Sequence, residues 1–307
     1  MVEHQYNSNQ ATNDTPFLTP RFLVPMKKRL QRIIAQGHFL DEVMAWKRQQ
    51  LQTEMAEMPE TSLQALLAFT PPAQDFAASL AGSGISLIAE IKRAAPNKGL
   101  ITRDFDAVQL AQTYIKGGAA ALACTTDARF FQGHLQDLTA IKEHFRQHET
   151  PHPLLRQDFI VHPWQILQSR VAGADSLTLI MALLGDADYA NLLAYARELG
   201  MEPVVQVHDE ADLQRALMAR PRILHLNHRD WRTLAIDATV SARLRPHIPD
   251  DVHVIAGGGI RHADDIAALR PLALHAVMVG ESLARQSGRQ RLRKTRHLVA
   301  AGQGKQP

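Results

Sequence analysis

Glu90 and Lys92 stand two residues apart at the end of the apolar run 87–91, and side chains two apart on a strand share a face. A carboxylate and an ammonium turned the same way make a proton-handling pair, able to protonate a carbonyl oxygen and to take a proton from carbon. His225 and Asn227 repeat that spacing at the run 223–226, and His208 follows Gln206 at the same interval. An imidazole titrates where acid–base work is done, so two readings of His225 are open: it fills the volume left by the glycines with its ring nitrogens bonded to neighbours, or with Lys92 it carries proton transfers. Anion binding is the second chemistry on offer. Gly258 and Gly259 after one apolar run, and Gly280 with Glu281 after the next, let the backbone close on a phosphate, and a helix starting at Glu281 offers free N–H groups. Metal chemistry is not expected: His225 and His228 face opposite ways on a strand end, and no Cys or carboxylate stands at ligand spacing. No cofactor is expected either.

These residues need elements to hold them. Eight short apolar runs rich in β-branched residues occupy 87–91, 120–124, 154–157, 177–180, 203–207, 223–226, 252–256 and 276–279. Amphipathic helical stretches lie between them, at 107–115, 135–145, 164–172, 187–199 and 211–218. This βα alternation predicts an α/β fold, a (β/α)8 TIM barrel of the phosphate-binding type. A doubly wound sheet needs a Gly-rich first turn, where this chain has Lys92, Arg93, Ala94, Ala95 and Pro96. Residues 1–19 are polar and read as a disordered lead. Leu30, Ile33, Ile34, Leu40, Val43, Met44 and Leu51 recur at helical spacing, broken at Gly37, so 20–85 reads as an N-terminal helical extension. The barrel is expected over 86–296, closed by a solvated basic helix, with 297–307 a flexible tail.

Composition excludes several classes. Hydrophobic content of 45% and charged content of 21% are ordinary globular values. A formal charge of +3 is too small an excess to argue for nucleic acid. Cys124 is the single cysteine, which forbids an internal disulfide. No apolar run is long enough for a bilayer, and the first residues lack the order of a signal peptide. A cytoplasmic protein acting on a small phosphorylated molecule, with neither nucleic acid nor membrane as partner, is the expectation.

The segment Leu87-Ile88-Ala89-Glu90-Ile91-Lys92-Arg93-Ala94-Ala95-Pro96-Asn97-Lys98-Gly99 resembles the first-strand signature of the indole-3-glycerol phosphate synthase family, A-E-I-K-R-A-S-P-S-K-G. Thr126-Asp127-Ala128-Arg129-Phe130-Phe131-Gln132-Gly133 resembles its T-D-x-x-F-F-x-G loop, and Arg156-Gln157-Asp158-Phe159-Ile160 its R-K-D-F-I. Asn227-His228-Arg229-Asp230 is similar to its N-x-R-(D/N), and Val279-Gly280-Glu281-Ser282-Leu283 to its V-G-E-S-L. The resemblance runs in order from about Leu23 to Arg285.

The resemblance implies a lyase of tryptophan biosynthesis that closes a pyrrole ring on an arylamino-deoxyribulose phosphate, with loss of carbon dioxide and water. It makes Glu90 and Lys92 the acid–base pair, and assigns Asn227 and Arg229 to substrate contact. Phe130, Phe131 and Phe159 would form an aromatic slot. The chain also departs from the family pattern. Gln157 stands for the strand-three lysine, Gln206 for the strand-five glutamate, and Gly257, Gly258 and Gly259 for a Glu-Ser-Gly turn. Glutamine donates a hydrogen bond but cannot hand over a proton, so Gln157 and Gln206 are expected to bind substrate. His225, at a family glycine, is expected beside Gln206 and the vacated Gly258. Two other readings stay open: a repurposed paralogue running a different condensation or elimination, and an impaired barrel that only binds ligand.

Overall fold

The computed structural model describes residues 38–96, 98–102 and 104–305. The lead expected over 1–19 and the start of the helical extension, Gly37 included, lie outside them. The described chain opens with two helices, α1 (Phe39–Glu57) and α2 (Glu60–Leu67), the second started by Pro59. Eight strands form the barrel: β1 (Ser86–Ile91), β2 (Ala121–Thr125), β3 (Leu154–Gln157), β4 (Ser176–Ile180), β5 (Val204–Val207), β6 (Ile223–Asn227), β7 (His253–Gly257) and β8 (Ala276–Val279), with a short antiparallel ribbon of Ala94–Ala95 and Gly99–Leu100 beyond β1. Every neighbouring pair in the barrel is parallel, and β1 pairs with both β2 and β8, so the sheet closes on itself. Helices α3 (Ala107–Lys116), α4 (Leu135–Gln147), α5 (Pro163–Val171), α6 (Asp186–Glu198) and α7 (Glu210–Met218) fall where the periodicity puts them. The expected (β/α)8 barrel is the fold.

Two-residue periodicity sorts each strand into an outer and an inner set. Leu87, Ala89, Leu122, Leu154, Leu177, Val205, Leu224, Val254 and Val277 face the helices in the main core. Ile88, Ala121, Ala123, Leu155, Val204, Ile223, Ile255, Ala276 and Met278 fill the barrel, and Phe76, Ala77 and Leu80 plug its lower end. The same parity turns Glu90, Gln157, Gln206, His225, Asn227 and Gly257 inward, one step above the packed layer.

The N-terminal extension is fastened to the upper end of the barrel. Phe39 and Val43 of α1 are fully buried against Phe130, Phe131, Phe159 and Trp231, and each such side chain contributes about 1.5–3 kcal/mol. One turn further, Lys47 is 1% exposed and pairs with Asp127 at 2.8 Å and Asp158 at 2.7 Å. Asp158 also accepts from Thr126 at 2.6 Å and pairs with Arg156 at 2.9 Å. Burial alone would raise the Asp158 carboxyl, but Lys47 and Arg156 hold it well below the usual carboxylate range. Arg156 faces outward, away from Gln157, and donates to Gln168 and Ser169 of α5.

The final helices α8 (Val240–Leu244), α9 (Ala263–Leu269) and α10 (Gly288–Gly302) complete the outer ring. Here the structure corrects the reading of 297–307 as a flexible tail. Helix α10 runs through Leu298 and Ala301, both buried, and packs on α3 and α9. The Ile85 N–H donates to the Gly302 carbonyl at 2.9 Å, and a Cβ at Gly302 would overlap the Ile85 carbonyl. The helix is also less solvated than its charge suggests, since Arg291 is buried and donates to carbonyls of Leu283, Ala284 and Gln286. Among the described residues no helix is long and apolar enough to cross a membrane.

Removing one member of a buried ion cluster leaves the others uncompensated. Lys47→Met is expected to cost about 3–5 kcal/mol in urea unfolding, with part recovered in the Lys47→Met/Asp158→Asn double variant. A loss of about 1 kcal/mol or less, the range of an exposed pair, would refute this fastening.

Candidate active site

The upper ends of the strands surround a cavity of about 440 Å³. Glu90 and Lys92 lie in its wall with their charged groups 2.5 Å apart, 8% and 14% exposed. Gly280 makes this possible: a Cβ there would overlap the Glu90 carboxylate. Its first role is therefore to leave room for the acid, although it also borders the cavity. The Lys92 ammonium sits 5.6 Å from the centre of the Phe131 ring, within reach of a cation–π attraction. The two side chains expected to pair do so, inside the barrel mouth.

Gln157 lines the same cavity, its Oε1 accepting from the Thr178 hydroxyl at 3.0 Å. Gln206 does not. It points inward but is 2% exposed, its Oε1 has no partner among the described residues, and it stands behind the wall that Gln157 forms. The aromatic slot also changes. Phe131 faces the cavity, whereas Phe159 is 1% exposed and packs edge-on against Phe130 and Trp231 at 5.8 and 5.4 Å. Phe130 and Phe159 support the ring that faces ligand. The second aromatic wall is Trp231, which sequence reasoning missed although it directly follows the motif residues Arg229 and Asp230.

His225 lines the cavity, register-paired with Gln206 on β5 and Ile255 on β7. Burial first, then the charges of His228 and Lys92, push its pKa down to about 3. At neutral pH the ring is uncharged and weakly basic, so the expected acid–base role of His225 is not supported. Among the described residues neither ring nitrogen has a hydrogen-bond partner. The glycine it fills is Gly257 and not Gly258, because a Cβ on Gly257 would overlap His225 Nε2. Gly258 serves a different purpose. At φ +87° it lies where a Cβ would come within 2.7 Å of Asn227 Oδ1 and 2.9 Å of the Arg229 nitrogen. His208 turns to the Asn227 carbonyl, 2.8 Å from its Nδ1, and leaves the wall.

Asn227 and Arg229 both face the cavity, tied together by the Arg229 N–H donating to Asn227 Oδ1 at 3.1 Å. Arg229 also donates to the Leu234 carbonyl at 2.8 Å, while the neighbouring Asp230 pairs with Arg232. The far end of the cavity is cationic. Gly258, Gly259, Gly280 and Glu281 border it as expected, joined by Lys98, Arg261, Arg285 and Lys294. The Glu281 carboxylate pairs with Arg285 at 2.8 Å, so only its backbone is left for an anion. Ser282 Oγ is buried there with no partner among the described residues. Lys98 and Ser282 stand inside the quoted motifs and were legible. Lys294 comes from α10 and was not. Among the described residues no group of three or more His, Cys, Asp or Glu side chains is placed to hold a metal ion.

A family model for indole-3-glycerol phosphate synthase matches residues 40–295. The chain is 39% identical over 248 residues to the indole-3-glycerol phosphate synthase of Roseiflexus castenholzii, covering 80% of this chain and 92% of the relative. It is 40% identical over 245 residues to that of Dehalococcoides mccartyi strain CBDB1, covering 80% and 94%. Among solved structures, 3-hexulose-6-phosphate synthase from Salmonella typhimurium superposes with a TM-score of 0.56 over 71% of this chain and 98% of its own, at 14% identity, a likeness of fold alone. With the family model spanning nearly all of the described barrel and its N-terminal helices, the chain belongs to the indole-3-glycerol phosphate synthase family.

Proposed function

We propose that this protein is an indole-3-glycerol phosphate synthase, a carboxy-lyase of tryptophan biosynthesis that takes an anthranilate-linked deoxyribulose phosphate. The observation that carries the reading is the Glu90–Lys92 pair at 2.5 Å facing a cationic, glycine-lined end across one cavity. The ring carbon bearing the carboxylate attacks the ketone carbon, and the ketone oxygen takes a proton. Breaking the bond to the carboxylate releases carbon dioxide and restores the aromatic ring. The new hydroxyl then leaves as water while a proton departs from the adjacent carbon, closing the pyrrole.

The roles follow from position. Lys92 supplies the proton to the ketone oxygen, and Glu90, 2.5 Å away, shuttles protons for the dehydration. Gln157 donates a hydrogen bond to a substrate oxygen without moving a proton. Arg229, its guanidinium steadied by the Leu234 carbonyl, grips the carboxylate, and Phe131 with Trp231 encloses the aromatic ring. Backbone N–H groups around Gly258, Gly259, Gly280 and Glu281, with Ser282, Lys98 and Arg261, hold the phosphate. The cytoplasm is the compartment we assign, in keeping with the single buried thiol of Cys124. Neither a repurposed reaction nor ligand binding alone gains support from the relatives, which carry the name of the ring-closing enzyme.

Purified protein given the anthranilate-derived substrate is expected to produce the fluorescence of an indole; binding without product would overturn the reading. Lys92→Met and Glu90→Gln are each expected to lower kcat by about 10² to 10⁴ with the fold retained by circular dichroism. Gln157→Lys reinstates an ammonium beside the ketone oxygen and is expected to raise kcat by at least about tenfold. An unchanged or lower kcat in that variant would show that Lys92 already supplies every proton the reaction needs.

A further inference from the structure

We propose that His225 is a substrate-positioning residue, an imidazole reaching from β6 across Gly257 to hydrogen-bond an oxygen on the open sugar chain of the ligand. The inference rests on reading the cavity as a site for a phosphorylated arylamino sugar, and it names a contact that no matching motif assigns. Three observations carry it. The ring is 3% exposed and borders the cavity, yet among the described residues neither Nδ1 nor Nε2 has a hydrogen-bond partner. A buried polar group without a hydrogen bond is costly, and here a ligand in the cavity is the group within reach. A Cβ on Gly257 would overlap Nε2, so the two positions work as a unit and a side chain at 257 would displace the ring. Finally, His225 and Lys92 line the same cavity. The oxygen we assign to it is on the stretch of the ligand that Lys92 serves: the ketone oxygen or the hydroxyl beside it.

An uncharged imidazole carries one N–H and one lone pair. Either suits a hydroxyl, and the N–H suits a carbonyl. Such a contact orients the ligand without moving a proton, so its loss should appear in binding ahead of turnover.

The test uses the full chain, the substrate, and an inert analogue in which the ketone is reduced to an alcohol. His225→Leu is expected to raise both KM and the analogue Kd by about tenfold, equivalent to about 1.4 kcal/mol, with kcat changed much less. His225→Asn, which keeps a donor and an acceptor, is expected to recover most of the binding. Gly257→Ala should behave like His225→Leu. In protein carrying 15N-labelled histidine, saturating analogue is expected to shift a ring-nitrogen resonance that is missing from His225→Asn, whereas inorganic phosphate alone leaves it in place. An unchanged KM in His225→Leu, or a resonance unmoved by the analogue, overturns the proposal. If wild-type protein binds the analogue and shifts the resonance but makes no indole, the reading of the reaction fails and the positioning role of His225 stands.

Discussion

A carboxylate and an ammonium held 2.5 Å apart near the centre of a closed barrel set the terms for everything around them. Taking both charges out of water is expensive unless they meet in good geometry. The barrel supplies that geometry because Glu90 and Lys92 extend from the same face of β1, whose lower inward residue, Ile88, is locked in the packed layer. The pairing also requires empty space on β8, and Gly280 provides it by having no side chain where the Glu90 carboxylate lies.

Around this pair the mouth of the barrel is largely uncharged. Gln157 on β3, Gln206 on β5 and Gly257 on β7 bring no charge to it, and His225 on β6 is driven into its uncharged form chiefly by burial. Charge in the wall is instead gathered at the Glu90–Lys92 pair, at Arg229, and at the cationic end where Lys98, Arg261, Arg285 and Lys294 meet glycine backbone. A ligand with an anionic end and a reactive carbonyl some distance away matches that division.

The N-terminal extension has a part in this arrangement. Through Phe39, helix α1 completes the aromatic cluster that backs Phe131 and Trp231, the two rings facing the cavity. Through Lys47 it pairs with Asp127 and Asp158, whose carboxylates accept from the backbone N–H groups of Phe130 and Phe159. The walls for the aromatic ring therefore depend on a buried ion cluster outside the cavity. Helix α10 works in a similar way from the other terminus, where the buried Arg291 binds carbonyls beside the Glu281–Ala284 turn at the phosphate end.

The strands, their inward faces and the pairing of Glu90 with Lys92 were all legible in the chain, because residue alternation on a strand is local and barrel closure preserves it. Asn227, Arg229, Phe131 and the glycines of the anion end could be placed for the same reason: each sits at or just beyond a strand end. Depth and neighbours across the barrel could not be read that way. Whether Gln206 and Phe159 reach the cavity or stay behind it, that His225 fills the space over Gly257, and that Lys47 spans more than a hundred residues to Asp158 depend on strand register and on how far each side chain sinks beneath its neighbours. The basic run of α10 likewise hides a buried face, since Leu298, Ala301 and Gly302 gain their role only when β1 lies beside them. Spacing along the chain determined which face each residue took; only three-dimensional packing decided which of them a ligand can touch, because burial and electrostatic environment are set by atoms far away in sequence.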